Sequence, residues 1–250
     1  MAQASGRRRL PRLNEIGLAD LDGELAVFPL AGALLLPRGR LPLNIFEPRY
    51  VAMVDDALRE RRLIGMIQPQ GVKYDTDDDD DDDPATASDA GAGGGLERPA
   101  ALYRVGCVGR LTSFAEREDG TFSISLLGIA RFRVWQEVDV RNGYRQVRPD
   151  FRLFAADLVE PGAFEFDRTQ LLQSLRQYFT LRGFEARWEA IEQMDDETLI
   201  TTLSMICPFP PPEKQALLEA VTLAERAGTL QALLQMAGHE TDRGHKPHAV

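Results

Sequence analysis

The chain has 250 residues and a formal net charge of −10, and its length allows one large or two small domains. Eight of the negative charges are the aspartates at position 75 and positions 77–83, so the rest of the chain is nearly neutral and lacks the basic stripe that nucleic-acid binding requires. No apolar stretch approaches the roughly 18 residues of a transmembrane helix, and the two distant cysteines, Cys107 and Cys207, fit buried, reduced thiols of a cytoplasmic protein.

The first 22 residues are polar and rich in arginine, with no hydrophobic period, and we expect a disordered leader at 1–22. Short apolar runs cut by prolines follow, and they predict short strands because a proline removes a backbone donor and is excluded from a central strand. These strands are predicted at 25–28, 33–36 and 43–45. Pro48 suits the first turn of a helix, and apolar residues follow it at helical spacing.

A continuously apolar run at 63–67 predicts the next strand, after which the composition changes abruptly. Residues 70–99 contain the aspartate run, glycine-rich stretches and almost no side chain large enough to pack, so we expect a disordered acidic insertion. A calcium site is the alternative for the aspartates. However, an EF-hand loop needs spaced ligands, a glycine at its sixth position and a glutamate at its twelfth, and the run has none of this spacing. We therefore expect no metal site.

The sheet resumes at 103–111, and Asp119-Gly120 is a dipeptide that favours a two-residue hairpin turn. Alternating apolar residues then predict a half-buried strand at 122–126. Further strands are predicted at 132–135 and 144–148. The sequence thus predicts a β-rich lobe at 23–155, with mostly antiparallel strands around one early helix.

The remainder has helical periodicity, and residues 156–237 predict a helical bundle. Helices are predicted at 166–181, at 184–194, from Asp195 to Ile206, after the prolines at 208–212, and at 229–236. Gly228 is expected to separate the last helix from the one before it, and a disordered tail is expected at 238–250. The predicted fold class is α+β.

Histidine and lysine are too scarce for most catalytic chemistry. The histidines are His239, His245 and His248, all in the predicted tail, so the body has none for a nucleophile pair or a zinc site. No glycine–lysine pair exists, which excludes a P-loop. A Ser–Lys dyad would have to use Lys214, for which a solvated helix face beside Glu213 is the simpler explanation. We expect no catalytic residue, no cofactor and no enzymatic activity.

Three groups of residues occur in an order that is typical of one family. The first contains Phe28-Pro29-Leu30, Leu36-Pro37-Arg38-Gly39 and Ile45-Phe46-Glu47-Pro48-Arg49-Tyr50. The second joins the turn at 119–120 to Leu127-Gly128-Ile129-Ala130-Arg131-Phe132, and the third is the run from Glu213 to Glu219. On these residues the chain resembles the N-terminal substrate-binding domain of the ATP-dependent Lon protease.

The resemblance implies that the β-rich lobe is a PUA-like pseudo-barrel. It also implies a non-catalytic substrate-recognition module, without the ATPase and protease parts. The implied partners are unfolded or apolar-rich polypeptide segments and a protease system. We expect a client to bury its exposed apolar residues in a groove of the β lobe or between the lobes, with backbone pairing to a sheet edge. The oligomeric state stays open.

The candidate substrate-binding residues lie at the predicted strand–helix joint and are Phe46, Glu47, Arg49, Tyr50 and Met53. A structural alternative stays open at each of them. An ion pair made by Glu47 or Arg49 would fix the joint, and the three apolar side chains would belong to the core.

Two other functions stay open as alternatives. One is an enzyme of unrecognised type on this scaffold, since two distant carboxylates could converge in the fold. The other is a nucleic-acid binder, because PUA-type folds can have that role, although the nearly neutral body argues against it.

Overall fold

The computed structural model describes residues 11–12, 15–71 and 100–244, with side chains up to residue 237. Six strands form one sheet: β1 (Leu25–Pro29), β2 (Arg40–Ile45), β3 (Leu63–Ile67), β4 (Val105–Glu116), β5 (Phe122–Arg141) and β6 (Tyr144–Asp150). The helices are α1 (Leu18–Leu21), α2 (Pro48–Arg59), α3 (Arg168–Arg182), α4 (Trp188–Glu192), α5 (Asp196–Ile206), α6 (Pro211–Glu219) and α7 (Leu223–Gly244). A 3₁₀ segment, Arg152–Leu158, connects β6 to the helices.

The long strand β5 closes the sheet into a barrel. Its first half pairs with β2 on one side and β4 on the other, and its second half pairs with β6. Since β6 pairs with β1, β1 with β3 and β3 with β4, five strands form a closed ring, and β2 lies outside it. Every pairing is antiparallel except that of β1 with β3.

One hydrophobic core runs through both lobes. It includes Leu43 and Met53 of the β lobe together with Leu171, Leu203 and Leu230 of the helices. A second cluster around Val27, Phe132 and Val147 lies within the barrel. The α+β class that we predicted, a PUA-like β-rich pseudo-barrel followed by helices, is confirmed.

The leucines at 34–36 are buried as expected, but they form no strand. Their segment crosses β5 at Gly128, so closely that a Cβ added there would lie 1.9 Å from the carbonyl oxygen of Leu36. Arg38 then turns the chain with a φ of 64° and donates its N–H to the Gly128 carbonyl. The prediction of a strand at 33–36 was wrong because the run packs its side chains into the core without pairing.

The two-residue hairpin turn is Asn142-Gly143, where both residues have positive φ and Arg141 pairs with Tyr144. The turn at Asp119-Gly120 is longer. It spans 117–121, and only Gly120 of the predicted pair has a positive φ. The Asp119 carboxylate accepts hydrogen bonds from both the N–H and the hydroxyl of Thr121, which stabilises the wider loop.

Both ends of the folded part extend beyond the predicted limits. Ile16 and Leu21 are buried in the barrel cluster, so the predicted disordered leader is too long. At the other end α7 runs unbroken through Gly228 to Gly244, because an isolated glycine costs a helix only about 1 kcal/mol. The rest of the leader at 1–10 and 13–14, the acidic insertion from 72 to 99 and the tail at 245–250 lie outside the described residues.

The remaining helices are close to the prediction. Asp195 caps α5, since its carboxylate accepts the N–H of Thr198, and the prolines at 208–212 separate α5 from α6. The predicted helix at 184–194 is reduced to the five residues of α4. Among the described residues, every helix is too short or too polar to cross a membrane.

Candidate functional site

The predicted joint between β2 and α2 exists and is held by an ion pair. Glu47 is the extended residue before the helix, and Pro48 occupies the first helical position. The Arg49 guanidinium donates from Nε and Nη2 to Glu47 Oε2, at 2.9 and 2.8 Å. Glu47 and Arg49 therefore pair with each other across the proline, which matches the structural alternative for these two residues. Both side chains still reach the surface.

The five candidate residues divide between core and surface. Tyr50 and Met53 are 5% and 0% exposed, and the Tyr50 ring lies 4.1 Å from that of Phe28. Neither can contact a bound chain in this state, so a contact role for these two residues is not supported. Phe46 is 45% exposed, and it lies beside the Glu47–Arg49 ion pair in the chain. Of the five candidates, Phe46, Glu47 and Arg49 therefore reach the surface.

Helix α2 is also fixed to the turn between β5 and β6. Asp56 accepts hydrogen bonds from the Tyr144 hydroxyl and the Asn142 amide, both at 2.9 Å, and lies 3.3 Å from Arg141 Nε. Burial opposes ionisation of Asp56, but these hydrogen bonds and the Arg141 charge outweigh it and lower the pKa of the carboxyl. Burial and the same carboxylate raise the pKa of Tyr144.

The turn also brings Gly143 against the Cβ of Arg49, so the site residue Arg49 rests on a firmly held hairpin. This hairpin turn was not predicted from the sequence. The Asn-Gly dipeptide between two alternating runs was the signal for it.

Asn44 of β2 accepts a hydrogen bond of 2.8 Å from Arg117 Nη2 in the loop between β4 and β5. Near this loop, the rings of Phe114 and Phe122 meet edge to face, with centroids 4.9 Å apart. These contacts fix the end of the sheet where β2 ends, directly before Phe46.

A buried arginine joins the β lobe to the helical lobe. Arg131 of β5 forms an ion pair of 2.8 Å with Asp157, and both side chains are buried. The same guanidinium donates to the main-chain carbonyls of Leu218, Ala220 and Val221 at the end of α6. A cation at this place is favourable, because the carbonyls at a helix C-terminus carry partial negative charge. No local pattern around Arg131 indicates that its side chain is buried.

Lys214 does not lie on a solvated helix face, so that expectation was wrong. It is 3% exposed, and its Nζ donates to the carbonyl of Met205 near the end of α5, at 2.5 Å. Burial lowers the pKa of Lys214 to about 8. Ser204 in the same region is buried, and its hydroxyl has no hydrogen-bond partner. Lys214 and Ser204 are therefore not joined as nucleophile and base, and neither is accessible to a substrate.

The two cysteines are free and buried, as predicted. Burial raises the pKa of Cys207 to about 12 and raises that of Cys107 as well, so both thiols stay protonated and unreactive at neutral pH. Among the described residues, no three His, Cys, Asp or Glu side chains converge as metal ligands.

Comparison with known proteins gives a consistent result. The family model described as the ATP-dependent protease La (LON) substrate-binding domain matches residues 24–236. Lon protease 2 of Myxococcus xanthus is 25% identical over 225 residues, which are 88% of this chain and 24% of that protein. The Lon protease of Anaeromyxobacter dehalogenans is 24% identical over 123 residues, 49% of this chain and 12% of that protein. The chain thus spans less than a quarter of either relative.

Two solved structures share the fold. The Lon N-terminal domain protein from Xanthomonas campestris superimposes with a TM-score of 0.52 at 21% identity, covering 84% of this chain and 98% of that one. The N-terminal domain of the Mycobacterium avium complex Lon protease gives a TM-score of 0.53 at 14% identity, covering 85% and 98%. At such identities the likeness shows the fold alone.

Proposed function

The chain belongs to the family of ATP-dependent protease La (Lon) substrate-binding domains, and from this membership we propose that it recognises polypeptide segments without cleaving them. The observation that carries the proposal is the family match over residues 24–236, which covers both lobes. The proposed clients are unfolded or apolar-rich polypeptides, and the proposed functional partner is a protease system. The proposed compartment is the cytoplasm, which the two free thiols support.

The proposed contact surface is Phe46 with the Glu47–Arg49 ion pair. Phe46 is an exposed aromatic side chain, and the ion pair beside it is held by the helix start and by the hairpin turn at Gly143. An unfolded client gains about 25 cal/mol for each Å² of apolar surface that it buries there. Because binding also orders the client, we expect a dissociation constant in the micromolar range, which corresponds to about −8 kcal/mol.

The absence of cleavage is part of the proposal. It is supported by the sequence, which contains no P-loop and has histidines only at 239, 245 and 248. It is also supported by the separation of Lys214 from Ser204 within the helical lobe.

The test is a titration of the chain with a protein that stays unfolded after reduction and alkylation of its disulfides, with its native form as the matched ligand. We expect micromolar binding to the unfolded form, little binding to the native form, no effect of ATP and no cleavage on a gel. Phe46→Ser should weaken the binding several-fold, whereas Leu153→Ser, which removes another exposed apolar side chain, should not. Equal affinity for the two forms of the ligand, or cleavage that depends on ATP, would contradict the proposal.

A further inference from the structure

The second half of β5 has a free edge. β4 begins at Val105 opposite Arg133, and the last contact on that side is the hydrogen bond from the Val134 N–H to the Arg104 carbonyl. From Trp135 to Arg141 the strand has β6 on one side, and among the residues that the structure describes no strand lies on the other. Backbone N–H and C=O groups along such an edge are available to pair with another chain.

The far end of this edge is fixed to α2 before anything binds. At its far end the Asn142-Gly143 turn is held to α2 by the two hydrogen bonds to Asp56 and by Gly143 against Arg49. Arg141 adds a 2.8 Å ion pair to Glu60. The register of β5 against β6 shifts at two places along this edge, between Val134 and Gln136 and between Val138 and Arg141. A chain that pairs here would therefore order itself against a preformed template, which lowers the cost of binding.

The side chains beside the edge are suited to a polypeptide. Trp135, at the first of these register shifts, is 75% exposed, and Val140 is 63% exposed. A shallow concavity of about 590 Å³ follows the strand and is lined by Gln136, Val138 and Val140 of β5, with Gln146 and Glu24 opposite. Exposed tryptophan is enriched among the residues that dominate the energy of protein interfaces.

The charges along the edge select for a basic ligand. Glu137 is paired with Arg145, Arg148 with Glu24, and Arg141 with Glu60 and Asp56. Asp139 has no hydrogen bond or ion pair to any of the described residues, and it belongs to the wall of the concavity. Within 135–141, the charge that has no such partner among the described residues is therefore negative, which favours a lysine or arginine in the bound segment.

The outer edge of β2 is a poorer template. In the described part of the chain β2 pairs with β5 and no strand lies on its other side, but Pro42 lies in its middle and has no N–H to offer. The free part of β5 contains no proline.

We propose that residues 135–141 of β5 bind an extended, lysine- or arginine-containing segment of the client as an added strand. Trp135 and Val140 contact its apolar side chains, and Asp139 contacts its basic one. This inference rests on the proposed function and deepens it, because it gives a physical reason for selecting unfolded chains. A folded protein has already used the main-chain groups that this edge requires, whereas an unfolded one has not.

The test uses the full chain and a labelled ten-residue peptide of alternating apolar residues with one central lysine. There are three control peptides: one replaces the lysine by glutamate, and the other two carry N-methyl groups on alternate backbone amides, one in each of the two possible registers. We expect N-methylation in at least one of the two alternate registers to abolish binding, and Trp135→Ala to weaken it about tenfold. Asp139→Lys should weaken the lysine peptide about threefold and strengthen the glutamate peptide by a similar factor. Leu153→Ser, which removes an exposed apolar side chain of the 3₁₀ segment away from this edge, should leave binding unchanged.

The outcomes separate this inference from the function on which it rests. The wild-type chain could bind unfolded protein while Trp135→Ala and Asp139→Lys bind the unfolded protein and the peptides as tightly as the wild type does. In that case the β5 edge is not the docking site, and the proposed function stands. If the wild-type chain binds no unfolded protein, both fail. All the changed side chains are exposed, so unchanged thermal unfolding of each variant shows that the fold is intact.

Discussion

Lys214 is the residue whose environment departs most from what its type suggests. A lysine in the interior normally destabilises a protein, because its charge must leave water. Here the charge is partly compensated by the Met205 carbonyl, and the pKa falls to about 8 against an ordinary value of 10.5. Between these two pH values the unfolded chain holds the proton and the folded chain does not.

We predict that the stability advantage of Lys214→Met over the wild type declines as the pH rises. Below pH 8 the wild type bears the full cost of burying the charge. Between about pH 8 and 10.5 the folded wild type loses the proton, so this cost disappears, by an amount on the order of 3 kcal/mol. Urea unfolding of both proteins at pH 7 and pH 10 measures the difference. Both proteins contain the same thiols and tyrosines, so the titration of those groups largely cancels when the two free energies of unfolding are subtracted. A difference in the free energy of unfolding that does not depend on pH would contradict the prediction.

Lys214 also shows why the contacts in this part of the structure could not be predicted from the sequence. Lys214 stands between Glu213 and Gln215, polar neighbours that are typical of an exposed face, and its burial depends on where α5 ends in space. The same holds for Arg131, whose acceptors are main-chain carbonyls almost ninety positions away. Tertiary contacts of this kind leave no periodic trace in a single sequence. An ion pair at the joint was an alternative that the sequence suggested, but with other groups as partners, whereas Glu47 and Arg49 pair with each other across Pro48.

At the scale of elements, the two glycine turns differ in what surrounds them. Gly120 and Gly143 both have positive φ, at 77° and 87°. A Cβ at Gly120 would meet nothing within 4 Å, whereas one at Gly143 would lie 3.1 Å from the Cβ of Arg49. The first turn connects two strands, while the second also positions α2.

We predict that Gly143→Ala destabilises the protein more than Gly120→Ala does. The strain of placing an alanine at positive φ, about 1–2 kcal/mol, is common to both. The excess at Gly143 therefore reports the contact with Arg49, and we expect it to be on the order of 1 kcal/mol. Thermal unfolding of the two variants gives the comparison. Equal losses of stability would mean that the turn does not support α2.

Elements were predictable wherever a local signal determines them. Pro48 begins α2 and Asp195 caps α5 because a missing donor and a carboxylate have fixed places in helix geometry. The run at 33–36 has strand composition, yet it forms none, because β2 occupies the pairing position on β5 and the run crosses over at Gly128. Apolar composition indicates burial, and pairing depends on partners that lie far along the chain.

For the whole molecule, the shared core predicts that both lobes unfold together. Each lobe contains one tryptophan, Trp135 on β5 and Trp188 in α4. In Trp135→Phe the remaining fluorescent reporter is Trp188, and in Trp188→Phe it is Trp135. We predict that the urea unfolding transitions of the two variants coincide once the small difference in stability between the variants is subtracted. An intermediate seen by one reporter and not by the other would mean that the lobes are separate folding units.

The junction at Arg131 should be a large contributor to that common stability. Arg131→Met leaves Asp157 buried without its partner, so we predict a loss of about 3–5 kcal/mol in urea unfolding. The double variant Arg131→Met with Asp157→Leu should lose less than the sum of the two single variants, because it removes both charges together. Strict additivity would show that the two residues are energetically independent.

Arg131 restricts sequence variation differently in the two lobes as related chains diverge. On the helical side its acceptors are peptide carbonyls of 218, 220 and 221, which every amino acid supplies. The side chains of that loop can therefore be substituted without loss of the hydrogen bonds to Arg131, and the exposed Val221 is free to vary. On the barrel side only an arginine has the forked geometry, and only a carboxylate at 157 balances it. Among descendants of such a chain, the surface of the helical lobe can diversify while the geometry between barrel and helices is inherited unchanged.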